Sequence, residues 1–227
     1  MTDIVATGEV LALIPVRGRD LVKSGGMPTL GDRPLMAYTV EAARKARTVG
    51  RVVVSTDSED VRKLAVDLGA EAPFLRPAEL SAPGTPLEAA LRHALVMLER
   101  DPGYRPRIVV RLEISHPFRE TGLIDRVVRT LVEQDLDTVF TAFEDHHNFW
   151  KVNEAGELEP LTDGGQTRAQ RPPIYKEVGG LVCAMRADVV RAGQRLGERV
   201  GVVALSSLQA LVDTQDEAGL ELARRVL

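Results

Sequence analysis

The chemistry-bearing residues nearest the start of the chain form one run, Arg17-Gly18-Arg19-Asp20-Leu21-Val22-Lys23-Ser24-Gly25-Gly26, directly after the apolar stretch VLALIPV. Arginine and lysine supply cations, and glycines leave backbone N–H groups free to face one ligand. A polyphosphate needs both. No Gly-Lys-Ser/Thr closes the loop, so it is not a P-loop. A solvated cationic turn would have the same composition, and the loop alone leaves both readings open. A second polar cluster is Glu144-Asp145-His146-His147-Asn148. Acid and imidazole together suggest a metal, but adjacent histidines lack the spacing that sets two ligands on one helix face, so the segment reads as a polar turn. Cys183 is the only cysteine, which excludes an internal disulfide and a cysteine-based zinc site. It lies in an apolar run and reads as a buried core thiol.

The elements that must position these groups alternate along the chain. Val10–Val16, Arg51–Ser55, Arg107–Leu112, Thr138–Phe143 and Gly180–Met185 read as strands, and Val202–Leu205 as a short apolar segment. Between them, Leu35–Lys45, a segment from Ser58 to Gly69, and Thr121–Glu133 carry apolar residues at helical spacing. Thr85-Pro86-Leu87-Glu88 has the form of a capping box, and Thr214 with Glu217 repeats it before a closing helix. Near-continuous apolar strands alternating with helices predict a mainly parallel α/β sheet covered on both faces. Ligands of such sheets bind at the carboxyl ends of the strands. Arg17 and Glu113, each just past a strand, are therefore expected at one edge. The segment 143–170 breaks the alternation. It is polar, holds Phe149 and Trp150, and reads as an inserted β-rich arm on a single domain 1–227.

Several blocks, in order, resemble the acylneuraminate cytidylyltransferases. They are Ile14-Pro15-Val16-Arg17, Gly31-Asp32-Arg33-Pro34-Leu35, Arg51-Val52-Val53-Val54-Ser55-Thr56-Asp57-Ser58, the stretch from Ala70 to Leu80, Tyr175-Lys176-Glu177-Val178-Gly179-Gly180, and Val212-Asp213-Thr214. Together they span nearly the whole chain. The resemblance implies a Rossmann-like fold, a homodimer joined through the arm, and transfer of CMP from CTP to a sugar-acid hydroxyl with Mg2+. In such a transfer, charge builds on the phosphate oxygens, and cations must meet it there.

Carried over by residue, the resemblance gives Arg17, Gly18, Lys23 and Arg76 to the nucleotide, with Arg17, Lys23 and Asp213 as the catalytic set. The loop is about one residue shorter than the family's, which leaves the register of Lys23 open. For Arg76 a surface ion pair is the competing reading. Where the family writes Gln-Pro-Thr-Ser-Pro-x-Arg, this chain writes Glu113-Ile114-Ser115-His116-Pro117-Phe118-Arg119. Glu113, His116, Arg119, Gln170 and Tyr175 are then the acceptor-binding residues. Arg119 is expected to grip an acceptor carboxylate at two points. His116 reads either as a packed imidazole or as an acceptor contact or base. An acid at 113 repels a carboxylate unless it is protonated or holds a cation, so common sialic acid is expected to be a poor acceptor. The family's paired aspartates become Leu211-Val212-Asp213, leaving Asp213 as the expected metal ligand.

Composition bounds the remainder. A chain of 227 residues with 44% hydrophobic and 27% charged residues suits an ordinary globular domain. A net charge of −4 without a basic run argues against nucleic acid. No apolar run approaches the roughly 20 residues of a membrane span, and MTDIVATGEV lacks a signal-peptide layout. A cytoplasmic enzyme using CTP and a small acceptor is the first expectation. Two alternatives stand beside it. One is a non-catalytic relative that binds nucleotide or sugar and has lost its full metal site. The other is a nucleotidyltransferase for a sugar phosphate or phosphonate.

Overall fold

The computed structural model describes residues 9–18, 25–161, 165 and 167–227. Strand β1 (Val10–Val16) is apolar on both sides because it lies in the sheet interior with helices over each face. It pairs in parallel with β4 (Arg51–Thr56) and β5 (Ile108–Arg111). Between β1 and β4 come the two-residue strands β2 (Thr29–Leu30) and β3 (Arg33–Pro34), then α1 (Leu35–Lys45).

Beyond β5 the direction breaks. Strand β10 (Cys183–Arg186) runs antiparallel to β5 and to β6 (Thr138–Asp145), and β11 (Val200–Ala204) runs parallel to β6. The sheet order is β11-β6-β10-β5-β1-β4, with β9 (Ile174–Glu177) antiparallel on the far end of β6. The sheet is thus mainly parallel and Rossmann-like, with helices on both faces. The apolar run after Gly180 is the strand expected there, and it is one of those that depart from the parallel series. A buried run carries no mark of direction, and here it reverses.

Two cores sandwich the sheet. On one face lie α1, α2 (Glu59–Asp67) and α4 (Leu123–Glu133). On the other lie α3 (Leu87–Leu98) and α5 (Ala187–Arg191). The buried stripe of α4, with Val127, Val128 and Leu131, has the period of one helix face. Asp125, also buried, accepts from the backbone N–H of Thr48 at 2.9 Å and of Arg47 at 3.2 Å, which fastens α4 to the end of α1.

The two expected threonine caps are corrected. The Thr85 hydroxyl donates to the Glu79 carbonyl at 3.0 Å, and α3 starts after Pro86 without a side-chain cap. The Thr214 hydroxyl donates to the Ser115 carbonyl at 3.0 Å. The last helix, α6 (Glu217–Val226), is capped instead by Asp216, which accepts from Gly219 N at 2.8 Å. In both cases the hydroxyl is oriented by its bond to a carbonyl outside the helix, and the helix begins on a later residue.

The arm contains a hairpin, β7 (Trp150–Val152) with β8 (Leu158–Pro160), reached from the overhanging end of β6. Trp150 is 62% exposed, whereas Phe149 is half-buried rather than exposed beside it. No helix among the described residues is long and apolar enough to cross a membrane.

Candidate active site

A cavity of about 430 Å³ opens at the carboxyl ends of β1 and β5, with Arg17, Arg76, Glu113, Ser115, Thr214 and Gln215 in its wall. Arg17 and Glu113 therefore share one edge, because their strands are parallel neighbours.

On the β1 side the cations are tied down. Arg17 Nη2 donates to the Thr85 carbonyl at 3.3 Å. Gly18 N donates to Asp57 Oδ1 at 2.8 Å, and its backbone passes so close to Ser58 that no Cβ fits. The same Asp57 oxygen lies 3.7 Å from Arg76 Nη2. Arg76 is 3% exposed, so a surface ion pair does not describe it. Its Nε donates to Ser81 Oγ at 2.9 Å and its Nη2 to the Val16 carbonyl at 3.0 Å. Burying a cation is costly, and Asp57 and the carbonyl offset part of that cost. Lys23 lies outside the described residues.

On the β5 side the loop 113–119 folds back on itself. Glu113 N donates to the Gly180 carbonyl at 2.8 Å. The Ser115 carbonyl accepts from Thr214 N at 2.9 Å, and Ser115 Oγ lies 3.0 Å from His116 Nδ1. His116 is 8% exposed. Burial pushes its pKa below the ordinary histidine value, Asp213 and Glu113 pull it up, and Arg119 and Arg111 add to the lowering. The imidazole is neutral at pH 7, and Ser115 stands between it and the cavity.

Arg119 requires a correction. All five of its N–H donors are occupied within the chain. Nε donates to the Leu181 carbonyl at 2.7 Å, Nη1 to Thr39 Oγ1 at 2.8 Å and the His116 carbonyl at 2.5 Å, and Nη2 to the carbonyls of Glu113 at 2.6 Å and Gly180 at 3.3 Å. Burial lowers its pKa to about 9, still well above neutral, so all five donors persist at pH 7. The guanidinium bolts the loop to β10's approach and has no fork left for an acceptor carboxylate.

Asp213 is exposed, and its Oδ1 accepts from Gln215 N at 3.1 Å. The segment is not a strand: a 3-10 turn over Leu208–Leu211 precedes it. Burial nevertheless alternates through 211–214, so Leu211 shares the exposed side with Asp213. No group of three His, Cys, Asp or Glu side chains among the described residues could hold a metal by itself. One carboxylate does fit a magnesium ion that takes its remaining ligands from phosphate and water.

Gln170 and Tyr175 stand away from this cavity. Gln170 closes a capping box with Thr167 in an exposed turn, and Tyr175, on β9, is 44% exposed. His146 and His147 form the expected polar turn: His146 Nε2 lies 2.8 Å from Glu144 and His147 Nδ1 2.5 Å from Asp145. Cys183 is buried, and that burial raises its thiol pKa to about 11. Three residues of the site escaped sequence reasoning: Asp57, Ser115 and Arg111. Asp57 and Ser115 follow strands, which was the signal available for them. Arg111 lies within a strand, and its Nη1 is 3.7 Å from Glu113 Oε1.

Residues 25–181 match a family model described as Cytidylyltransferase. The chain is 24% identical, over 91% of each sequence, to the post-translational flagellin modification protein B of Campylobacter coli. It is 33% identical to a pseudaminic acid cytidylyltransferase of Campylobacter jejuni, over 59% of this chain and 58% of the relative. Among solved structures it resembles a CMP:2-keto-3-deoxy-manno-octonic acid synthetase complexed with CTP, at a TM-score of 0.69 and 16% identity, covering 96% of this chain and 98% of that one. At that identity the likeness speaks for the fold.

Proposed function

The chain belongs to the cytidylyltransferase family, and on that premise we propose that it transfers CMP from CTP to a hydroxyl of a sugar acid. The observation that carries the reading is the buried Arg76, set beside Arg17 in the wall of one cavity at the carboxyl edge of the sheet. Two cations held there by backbone groups are suited to the triphosphate. The acceptor oxygen attacks the α-phosphorus, a new P–O bond forms, and the bond to pyrophosphate breaks. Arg17 and Arg76 meet the charge on the phosphate oxygens. The acceptor's proton passes by way of the Ser115 hydroxyl to the neutral His116, 3.0 Å behind it.

Asp213 would hold Mg2+, which neutralises phosphate charge when bound. Asp213→Asn is expected to lower kcat about 100-fold with an unchanged melting temperature, and unchanged turnover would place the metal elsewhere. We further propose a homodimer through the arm, where Trp150, Val152 and Leu158 are 62%, 64% and 70% exposed. Gln170 and Tyr175, off this chain's cavity, would then serve the partner's acceptor site. Light scattering that shows a monomer at micromolar concentration overturns this. The enzyme would act in the cytoplasm, where CTP is made. The deciding experiment is a pyrophosphate-release screen of the four nucleoside triphosphates against acidic sugars, sugar phosphates and phosphonates. Release with CTP and a sugar acid supports the reading, and silence with every pair removes it.

A further inference from the structure

The acceptor side holds a cation that the transfer chemistry above leaves unused. Arg111 ends β5, in the sheet interior between β1 and β10. Alternate residues of a strand share a face, so Arg111 follows Val109 on the face opposite Val110 and Leu112, and Glu113, two residues past the strand's end, reaches the cavity wall. The Arg111 side chain is only 14% exposed, and its Nε is buried without a hydrogen-bond partner. Its link to Glu113, at 3.7 Å, is an ion pair without a hydrogen bond. The backbone makes room for it: a Cβ at Gly179 would stand 2.6 Å from Arg111 Nη2 and 2.5 Å from Glu177 Oε1. One residue on, a Cβ at Gly180 would stand 2.9 Å from the His116 ring and 3.0 Å from the Glu113 carboxyl carbon. Glu177 is itself engaged by Arg195 at 2.5 Å. An incompletely paired cation in a sheet interior lowers stability, and an apolar residue would suit this position better. Its benefit lies in what it does to Glu113.

We propose that Arg111 and Glu113 act as one specificity element for an acidic acceptor. Glu113 offers a carboxylate oxygen to a hydroxyl or amino group of the sugar. Arg111, behind it, offsets the charge that would otherwise repel the sugar's own carboxylate. An acid at position 113 disfavours carboxylated acceptors only if it stands alone, and here it holds a cation. The inference rests on the sugar-acid reading and names the chemistry of that same site.

The test is a double-mutant cycle of Arg111→Met, Glu113→Gln and the pair. The probes are N-acetylneuraminate, 3-deoxy-manno-octulosonate and the methyl ester of each, in the presence of CTP. Pyrophosphate release, calorimetric affinity for each probe and melting temperature are recorded. Arg111→Met should weaken the acids about five- to tenfold more than their esters. It should leave the KM for CTP and the melting temperature undiminished, and Glu113→Gln added to it should restore most of the loss. Equal losses for acid and ester, additive effects in the cycle, or a melting temperature that falls in step with activity would overturn the proposal. So would a wild-type protein that binds none of the acids. If the acids bind with the expected pattern but no pyrophosphate is released, the pair stands and the transfer reading falls. If pyrophosphate is released only with non-acidic acceptors, the pair falls and nucleotidyl transfer stands.

Discussion

On the β1 side of the cavity, each cation is anchored to backbone: Arg17 to the Thr85 carbonyl, Arg76 to the Val16 carbonyl, with Asp57 between Gly18 N and Arg76. On the β5 side, the groups facing the cavity lean on other side chains: Glu113 on Arg111, and Ser115 on His116. Backbone anchors barely respond to changes elsewhere in the sequence, whereas side-chain pairs change together. The first arrangement suits a constant ligand such as a nucleoside triphosphate, and the second suits an acceptor that differs between relatives.

The largest expected effect tests the fixed side. Arg76→Met should cut kcat/KM for CTP about 100- to 1,000-fold, the scale for losing one preorganised donor to transition-state charge. Steady-state kinetics with CTP varied decide it. A loss confined to the acceptor KM would erase the division between the two sides.

The next effect falls on stability. Removing the Arg119 guanidinium leaves the carbonyls of Leu181, His116, Glu113 and Gly180 without these donors. Arg119→Met should cost about 3 kcal/mol in denaturant unfolding, with Arg119→Lys recovering part of it. A variant as stable as wild type that has lost only acceptor affinity would return Arg119 to the acceptor site.

The smallest effect is a pH dependence. The unfolded chain protonates His116 near the ordinary histidine value of 6.5, and the folded chain only at lower pH, because burial disfavours the cation. Between those values unfolding takes up a proton, so this contribution to stability is whole above 6.5 and falls as pH drops below it. Arg111, Glu113, Arg119 and Asp213 are the charged groups that act on it. The fall in melting temperature from pH 7.5 to 5.5 should be smaller in His116→Gln than in the wild type. If the mutant and wild type fall together, His116 does not titrate in this way. The kcat/KM profile should likewise stay flat from pH 8 to below the ordinary histidine range, since the base remains neutral there.

Much of this was legible in the sequence, for identifiable reasons. VLALIPV and RVVVS announce buried strands because no polar residue interrupts them, and the residues that follow them fall at the cavity by the geometry of parallel sheets. What failed depended on how loops fold back on themselves and on each other. Thr85 and Thr214 carry the chemistry of helix caps, but the carbonyls of Glu79 and Ser115 took their hydroxyls. Arg119 sits where an acceptor residue should, and only the fold shows that loop carbonyls occupy its donors. Arg111 drew no notice because a cation in a strand reads as an outward-facing residue until the opposite face is seen to be covered. The reversal of β10 left no trace, since its composition suits either direction.

That reversed strand also bears on the arm. β10 returns to pair with β6 after β6 has ended at Asp145 and β9 has begun at Ile174. Loop-closure entropy grows only with the logarithm of length, so doubling such an excursion costs about 0.6 kcal/mol. The ends of the excursion are fixed by the pairing of β6 with β9, from Ala142–Glu177 to Asp145–Ile174. Residues can therefore be gained or lost beyond Asp145 without disturbing the register of the strands that carry Arg111 and Cys183. The length of the arm is thermodynamically almost neutral for the fold, and so free to be set by what the arm must reach.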